Sequence, residues 1–221
     1  MKAFWENPEI QQLNRLPMRS PLIPYASPDK AATEAAAGPE SCPDPSSPFY
    51  RSLDGSWKFT LLSSPEGDGT GSPAYGWTEP SYDTSSWSAI RVPGSWTVQG
   101  FDDTPHYTNV QMPFDIMPPN VPGHNPTGLY RLETTIPEDW QGRRIVLHIG
   151  SAESCLELFV NGQRAGLAKD TRLPSEFDIT PFLAADGKAC IALKVIRYSD
   201  ASFVEDQDQW WFGGIHRSVY L

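Results

Sequence analysis

One short segment of the sequence combines acidic and aromatic side chains. Glu205, Asp206 and Asp208 lie within four residues and closely precede Trp210 and Trp211. A carboxylate can accept hydrogen bonds from two sugar hydroxyls or coordinate a hard cation, and an indole offers a flat apolar face to a sugar ring. The same composition also suits a solvated acidic loop followed by two tryptophans that pack in the core. The segment alone leaves both interpretations open.

We do not expect these three carboxylates to break a glycosidic bond. That reaction uses two carboxyl groups roughly 5–10 Å apart that face one bond. Neighbouring side chains of an extended chain point to opposite faces, so adjacent carboxylates do not naturally converge on one reacting atom.

A second candidate for binding is Asn109. Its amide offers both donors and an acceptor, which suits sugar hydroxyls. Asparagine is also a common turn residue, so a purely structural role is the alternative. Asn109 lies in a long proline-rich segment, residues 93–128. Loops of that length are usually functional or form interfaces.

Other familiar chemistry is absent from the sequence, which has no glycine-rich phosphate loop, no HExxH or GxSxG motif and no metal-type Cys/His spacing. Its four histidines are scattered, so we expect them to pack or to lie on the surface. The three cysteines, Cys42, Cys155 and Cys190, show no CxxC spacing. They indicate a reduced, cytoplasmic protein with buried thiols.

The charge of the chain argues against two classes of partner. Seventeen lysines and arginines stand against 27 aspartates and glutamates, a net charge of −10. We therefore expect no nucleic acid partner, and an anionic membrane surface would repel the chain. We expect neither a membrane span nor a signal peptide, because no apolar run approaches 18 residues and no apolar segment of the signal-peptide type follows Met1.

The binding candidates must be positioned by a β-rich fold. Twenty-two prolines among 221 residues is about twice the usual share, and proline is poorly tolerated inside helices. The apolar pattern predicts strands at 57–62, 130–136, 145–149, 156–160, 191–195 and 219–221. Asn161-Gly162 predicts a type I′ hairpin turn. Short strands of this kind favour an all-β jelly-roll β-sandwich.

Composition divides the chain into three parts. Residues 1–28 read as an irregular arm with apolar anchors, which must lie against its own domain or another surface because it has no core of its own. Residues 29–48 read as a flexible linker in which AATEAAA could form a short helical turn. Residues 49–221 read as the sandwich.

Taken in order, the motifs of the chain resemble those of the large bacterial β-galactosidases of glycoside hydrolase family 2. RLPSEFD at 172–178 followed by EDQDQW at 205–210 is the most specific pairing. The other matching motifs are WENP at 5–8, QLNRL at 12–16, RSLDGSW at 51–57, VPGSW at 92–96, YTNV at 107–110, NPTGLY at 125–130 and RYSD at 197–200.

This resemblance implies a galactose-binding-domain-like jelly roll that packs against a central (β/α)₈ barrel. In the family the barrel carries both catalytic glutamates of a retaining mechanism, so the resemblance implies no catalytic residue in this chain. It assigns Asn109 and Asp208 to the galactose pocket, and Asp208 also to a sodium ion that touches the sugar. The parent enzyme would hydrolyse terminal β-galactosides such as lactose, and the chain alone would be inactive.

The resemblance also implies a magnesium site near the arm. Asn7 and Asp200 match two of its side-chain ligands. Phe4 stands where an acidic ligand is expected, and Lys169 where a glutamine is expected. A cationic lysine would repel the ion, so these two departures argue against the site.

The implied partners are a galactoside, the barrel of the parent enzyme and other subunits, which residues 1–28 would contact in a tetramer. A free-standing carbohydrate-binding module is the alternative, since jelly rolls of this size are common among such modules. A third interpretation is a fragment that complements a truncated enzyme through residues 1–28.

Overall fold

The computed structural model describes residues 2–20, 22–37, 47–67, 75–109 and 111–221. Within them lie the strands β1 (Gln12–Leu13), β2 (Gly55–Leu62), β3 (Ser88–Val92), β4 (Gly94–Ser95), β5 (His106–Thr108), β6 (Thr127–Thr135), β7 (Val146–Ile149), β8 (Cys155–Val160), β9 (Gln163–Lys169), β10 (Ser175–Asp178), β11 (Lys188–Ile196), β12 (Gln209–Trp211), β13 (Gly214–Ile215) and β14 (Val219–Tyr220). The helices are α1 (Pro28–Ala37) and short 3₁₀ turns at Phe4–Glu6, Gly76–Thr78, Trp96–Val98, Glu138–Trp140, Thr180–Phe182 and Asp200–Phe203.

Two antiparallel sheets face each other across one core. The larger sheet has the order β1-β9-β8-β11-β6-β2-β3, and the smaller has the order β10-β7-β14. Apolar side chains of both sheets meet in a single buried cluster, with Phe59, Leu158 and Leu193 from the larger sheet and Leu147 and Phe177 from the smaller. The predicted all-β sandwich is confirmed.

The strands lie where the apolar pattern predicts them, on β2, β6, β7, β8, β11 and β14. The turn between β8 and β9 has Asn161 at φ 50° and Gly162 at φ 80°, as a type I′ hairpin requires. Val160 faces Gln163 across this turn.

Central strands of the larger sheet are buried on both faces. Every residue of β8 is buried, and so is every residue of β11 after Lys188. A second apolar cluster explains this burial, because Trp77 packs on Phe159 from outside the core. At these central strands, the outer face of the larger sheet is therefore covered by protein and not exposed to solvent.

The arm lies against its own domain. β1 pairs with β9, placing Gln12 opposite Ala168 and Leu13 opposite Leu167. The N–H of Leu16 then donates to the carbonyl of Glu176 in the other sheet. The arm thus extends one sheet and contacts the second.

Helix α1 occupies the start of the segment that composition predicts as a linker. Its length exceeds the expected short turn because alanine has the highest helix propensity and Pro28 suits the first helical position. The N–H of Lys30 donates to Ser27 Oγ at 3.4 Å. The rest of the predicted linker, residues 38–46 with Cys42, lies outside the described residues. No helix in the described ranges is long and apolar enough to cross a membrane.

Candidate functional site

Asn109 and Asp208 lie at the same end of a two-stranded ribbon. β5 pairs antiparallel with β12, and Thr108 stands opposite Gln209. Continuing this register by one position places Asn109 opposite Asp208. Strand pairing thus brings together two binding candidates that lie far apart in the sequence.

The hydroxyl of Tyr107 meets both candidates. It donates to Asp208 Oδ1 at 2.5 Å. This bond raises the pKa of Tyr107 above its ordinary value, whereas a hydrogen bond with the side chain of Asn109 acts in the opposite direction. The amide, the hydroxyl and the carboxylate therefore form one polar group at the end of the ribbon.

Aromatic surface lies beside this polar group. Tyr107 and Trp210 are each 53% exposed, and their ring centroids are 5.7 Å apart. Phe212 lies 6.2 Å beyond Trp210. Trp211 points the other way and packs with Val121 in a buried cluster. The two tryptophans therefore differ: Trp210 is exposed, and Trp211 packs in the core.

The three neighbouring carboxylates have different surroundings. Glu205 accepts hydrogen bonds from the N–H of Thr171 at 2.8 Å and from its hydroxyl at 2.6 Å. Burial is the main reason that the pKa of Glu205 is raised. One oxygen of Asp206 is buried with no hydrogen-bond partner among the described residues. Asp208 is the exposed member of the three, so its carboxylate is the one accessible to a ligand.

A buried arginine holds the ribbon to the sandwich. The guanidinium of Arg197 donates to the carbonyls of Thr104 at 2.8 Å and Trp211 at 3.1 Å, and it pairs with the carboxylate of Asp103. The other oxygen of Asp103 accepts from the indole of Trp96 at 2.6 Å. One cation thereby ties the segment before β5 to the end of β12.

The histidines and cysteines of the described residues have structural surroundings. In the described ranges, no group of three or more His, Cys, Asp or Glu residues is arranged to hold a metal ion. His148 pairs with Glu176 at 3.1 Å, and burial lowers the pKa of this histidine. Cys155 and Cys190 are buried free thiols, and burial raises the pKa of Cys155 to about 12. A thiol with so high a pKa is a poor nucleophile.

The two residues implied for magnesium meet at a lysine. Lys169 Nζ lies 2.5 Å from Asp200 Oδ1 and 3.0 Å from the backbone oxygen of Asn7. The side-chain oxygen of Asn7 accepts from the N–H of Glu9 at 3.1 Å. This set of groups does not fit a divalent cation, because a buried ammonium already pairs with the carboxylate and would repel the ion.

The β-sandwich is similar in fold to one part of a larger solved structure. The solved structure of Bacteroides uniformis β-glucuronidase 2, covalently bound to cyclophellitol-6-carboxylate aziridine, superposes with a TM-score of 0.57. The match is 24% identical and covers 77% of this chain and 17% of that one. This likeness concerns the fold alone.

The chain belongs to glycosyl hydrolase family 2, and the model of that family's sugar-binding domain matches residues 50–221. A β-galactosidase of Vibrio cholerae is 37% identical over 217 residues, and one of Yersinia enterocolitica is 39% identical over 219. Each alignment covers 98% of this chain and 19% of the relative. The chain therefore spans about a fifth of the length of these relatives, and the resemblance to their family is confirmed.

Three residues of the site, Tyr107, Arg197 and Asp103, were not identified as site residues from the sequence. Tyr107 lies two positions before Asn109, and side chains two apart share one face of a strand, so this signal was available. No local sequence pattern indicates that Arg197 pairs with Asp103. This pair joins a strand end to a distant loop.

Proposed function

We propose that the chain is the sugar-binding part of a β-galactosidase, and that Asn109 and Asp208 bind hydroxyls of the terminal galactosyl unit. The observation that carries this proposal is the register of β5 and β12, which sets the two side chains opposite each other beside exposed aromatic surface. The names of the relatives that are 37–39% identical support the choice of β-galactoside as substrate.

The polar group suits a sugar because it offers donors and acceptors together. The amide of Asn109 can donate and accept, while the carboxylate of Asp208 accepts from hydroxyls. Tyr107 orients both groups before the sugar arrives, and a sugar hydroxyl would then take its place on Asp208. Trp210 offers an apolar face to the carbon-rich side of the ring.

Asp208 would also hold a sodium ion. A carboxylate oxygen is the donor that hard cations prefer, and Asp208 is exposed, so this residue fits the ion. The other oxygen ligands would come from carbonyls, water, the sugar or the rest of the parent enzyme. When bound, sodium would supply a positive charge that orients a sugar hydroxyl.

The reacting groups would come from outside this chain. Binding groups position a substrate, but they do not replace a nucleophile and a general acid. We therefore propose that a barrel domain of the parent supplies the catalytic glutamates and that the isolated chain does not turn over galactosides.

A domain exchange tests this function. The chain would replace the matching segment of the Vibrio cholerae β-galactosidase, and hydrolysis of a chromogenic galactoside would be measured. Asp208→Ala should lower kcat/KM by about 10²–10⁴-fold, since two hydrogen bonds to a charged group contribute about 3–6 kcal/mol. Asn109→Ala should lower it by at most about 100-fold, because its bonds are neutral.

Asp186→Ala is the matched control, because Asp186 is exposed and pairs only with Lys188 among the described residues. Its kcat/KM should equal that of the unmodified chimera. An active chimera in which Asp208→Ala keeps full turnover and full sodium dependence would refute the assignment.

The exposed pair of Tyr107 and Trp210 favours a second candidate, a free-standing carbohydrate-binding module. Calorimetry of the isolated chain with galactose and lactose in sodium buffer separates the two. Sub-millimolar, sodium-dependent binding would support the module, whereas the enzyme part should bind weakly because the rest of its pocket is elsewhere.

The arm supports a further part of the proposal, which is contact with other subunits. Met18 is 58% exposed and Leu22 is 69% exposed, so both offer apolar surface. Sedimentation of the chimera should show loss of the tetramer when Met18 and Leu22 are both changed to serine.

We also propose a cytoplasmic location, which agrees with the free thiols of Cys155 and Cys190.

A further inference from the structure

A buried lysine joins the arm to the sandwich. Lys169 ends β9, and its side chain is 1% exposed, while that of its partner Asp200 is 5% exposed. The ammonium also donates to the backbone oxygen of Asn7, and the N–H of Lys169 donates to the carbonyl of Gln11 at 3.2 Å. We propose that this ammonium takes the place of a divalent cation at the junction, so that the arm docks without metal.

The charges at the junction balance without an added ion. One carboxylate faces one ammonium at 2.5 Å, and both are shielded from water. A divalent cation at Asp200 would stand beside a fixed positive charge in a poorly screened site, where repulsion is strong. The side-chain oxygen of Asn7 is engaged by a backbone N–H, so it is not free to bind the ion.

The start of the arm contacts the sheet through cation–π interactions. The ring of Phe4 lies 5.3 Å from the guanidinium of Arg164, and the ring of Trp5 lies 5.4 Å from the ammonium of Lys194. Aromatic faces attract cations at such distances. Arg164 also pairs with the buried Glu157 at 2.7 Å. Positive side chains of the sheet thus meet aromatic rings of the arm, and the ring of Phe4 offers no oxygen ligand to a metal ion.

The first test measures metal binding to the unaltered chain. Electron paramagnetic resonance with Mn²⁺ at millimolar metal should show no saturable site that depends on Asp200. The Tm should be equal in millimolar MgCl₂ and in EDTA. A saturable Mn²⁺ site that Asp200→Asn abolishes would overturn the proposal.

The second test removes the ammonium. Lys169→Gln should lower the Tm in EDTA by roughly 6–20 °C, since it leaves a buried carboxylate without its partner. Lys188→Gln is the matched control. Lys188 is 76% exposed and pairs with an exposed carboxylate, so the Tm of this variant should change by less than about 4 °C.

Hydrogen exchange then locates the effect. Amides of residues 4–13 should keep their protection in EDTA in the unaltered chain and lose it in Lys169→Gln. A Lys169→Gln variant with unchanged Tm and unchanged protection would show that the ammonium does not hold the arm. If that variant fails to fold, the Mn²⁺ measurement on the unaltered chain decides the question.

Discussion

Replacing Arg197 with methionine should destabilise the whole domain and release the ribbon that carries Asn109 and Asp208. Methionine keeps much of the side-chain length but removes every donor. The carboxylate of Asp103 is then buried without its cation, and the carbonyls of Thr104 and Trp211 lose a donor. Breaking a buried ion pair in this way costs about 3–5 kcal/mol. For a chain of this size, that cost corresponds to a Tm lowered by roughly 6–20 °C.

Urea unfolding followed by tryptophan fluorescence measures this loss, with a constant m value as the check for two-state behaviour. The decisive variant combines Arg197→Met with Asp103→Asn. Asp103→Asn alone should destabilise, because it leaves the guanidinium buried and unpaired. In the Arg197→Met background it should instead stabilise, by about 1 kcal/mol or more, because it removes the unpaired carboxylate.

Additive effects would refute the reasoning. If Asp103→Asn lowered the free energy of unfolding equally in both backgrounds, the two side chains would not be coupled. A loss below about 1 kcal/mol for Arg197→Met would likewise show that the pair is not buried as described. Arg172→Met is the matched control. Its side chain is exposed, so the free energy of unfolding should stay within about 0.5 kcal/mol.

Three further outcomes are expected. Gly213→Ala should cost about 1–3 kcal/mol in urea unfolding, because the added methyl would overlap the buried ring of Trp96, whereas Gly123→Ala meets open space and should be nearly neutral. Burial lowers the pKa of His148, so the unfolded chain takes up a proton first as pH falls through about 6.5. The free energy of unfolding should therefore decline below that pH, and His148→Gln should make the decline shallower. Cys155 should resist alkylation by iodoacetamide in the native chain and react fully in urea, which thiol titration measures.

Much of the fold was predictable because its signals are local. Alternating apolar residues marked β2, β6 and β11, and Asn161-Gly162 marked a turn that needs two residues at positive φ. Helix α1 differed from the expected linker because alanine propensity outweighed the lack of an apolar face. Local sequence patterns predict the secondary structure of a segment, but they do not predict which distant segments pack against each other.

The candidate site shows the same division. Side-chain chemistry singled out Asn109 and Asp208 as possible sugar-binding groups, and motif order related them to a glycosidase family. Their placement opposite each other came from the register of β5 and β12, which depends on hydrogen bonds between distant parts of the chain. The bridging role of Tyr107 became visible only with that register in place.

The sequence by itself determined the all-β class, the family and the residue types that could bind a sugar, because composition, period-two patterns and motif order are properties of the linear chain. Only the tertiary structure decided which carboxylate is exposed, which arginine anchors the ribbon and what Lys169 does. Burial and ion pairing depend on how distant segments pack. In the sequence, the charge of Lys169 was the only reason to expect that it would repel a metal ion. In the folded chain, Lys169 is the cation that pairs with Asp200.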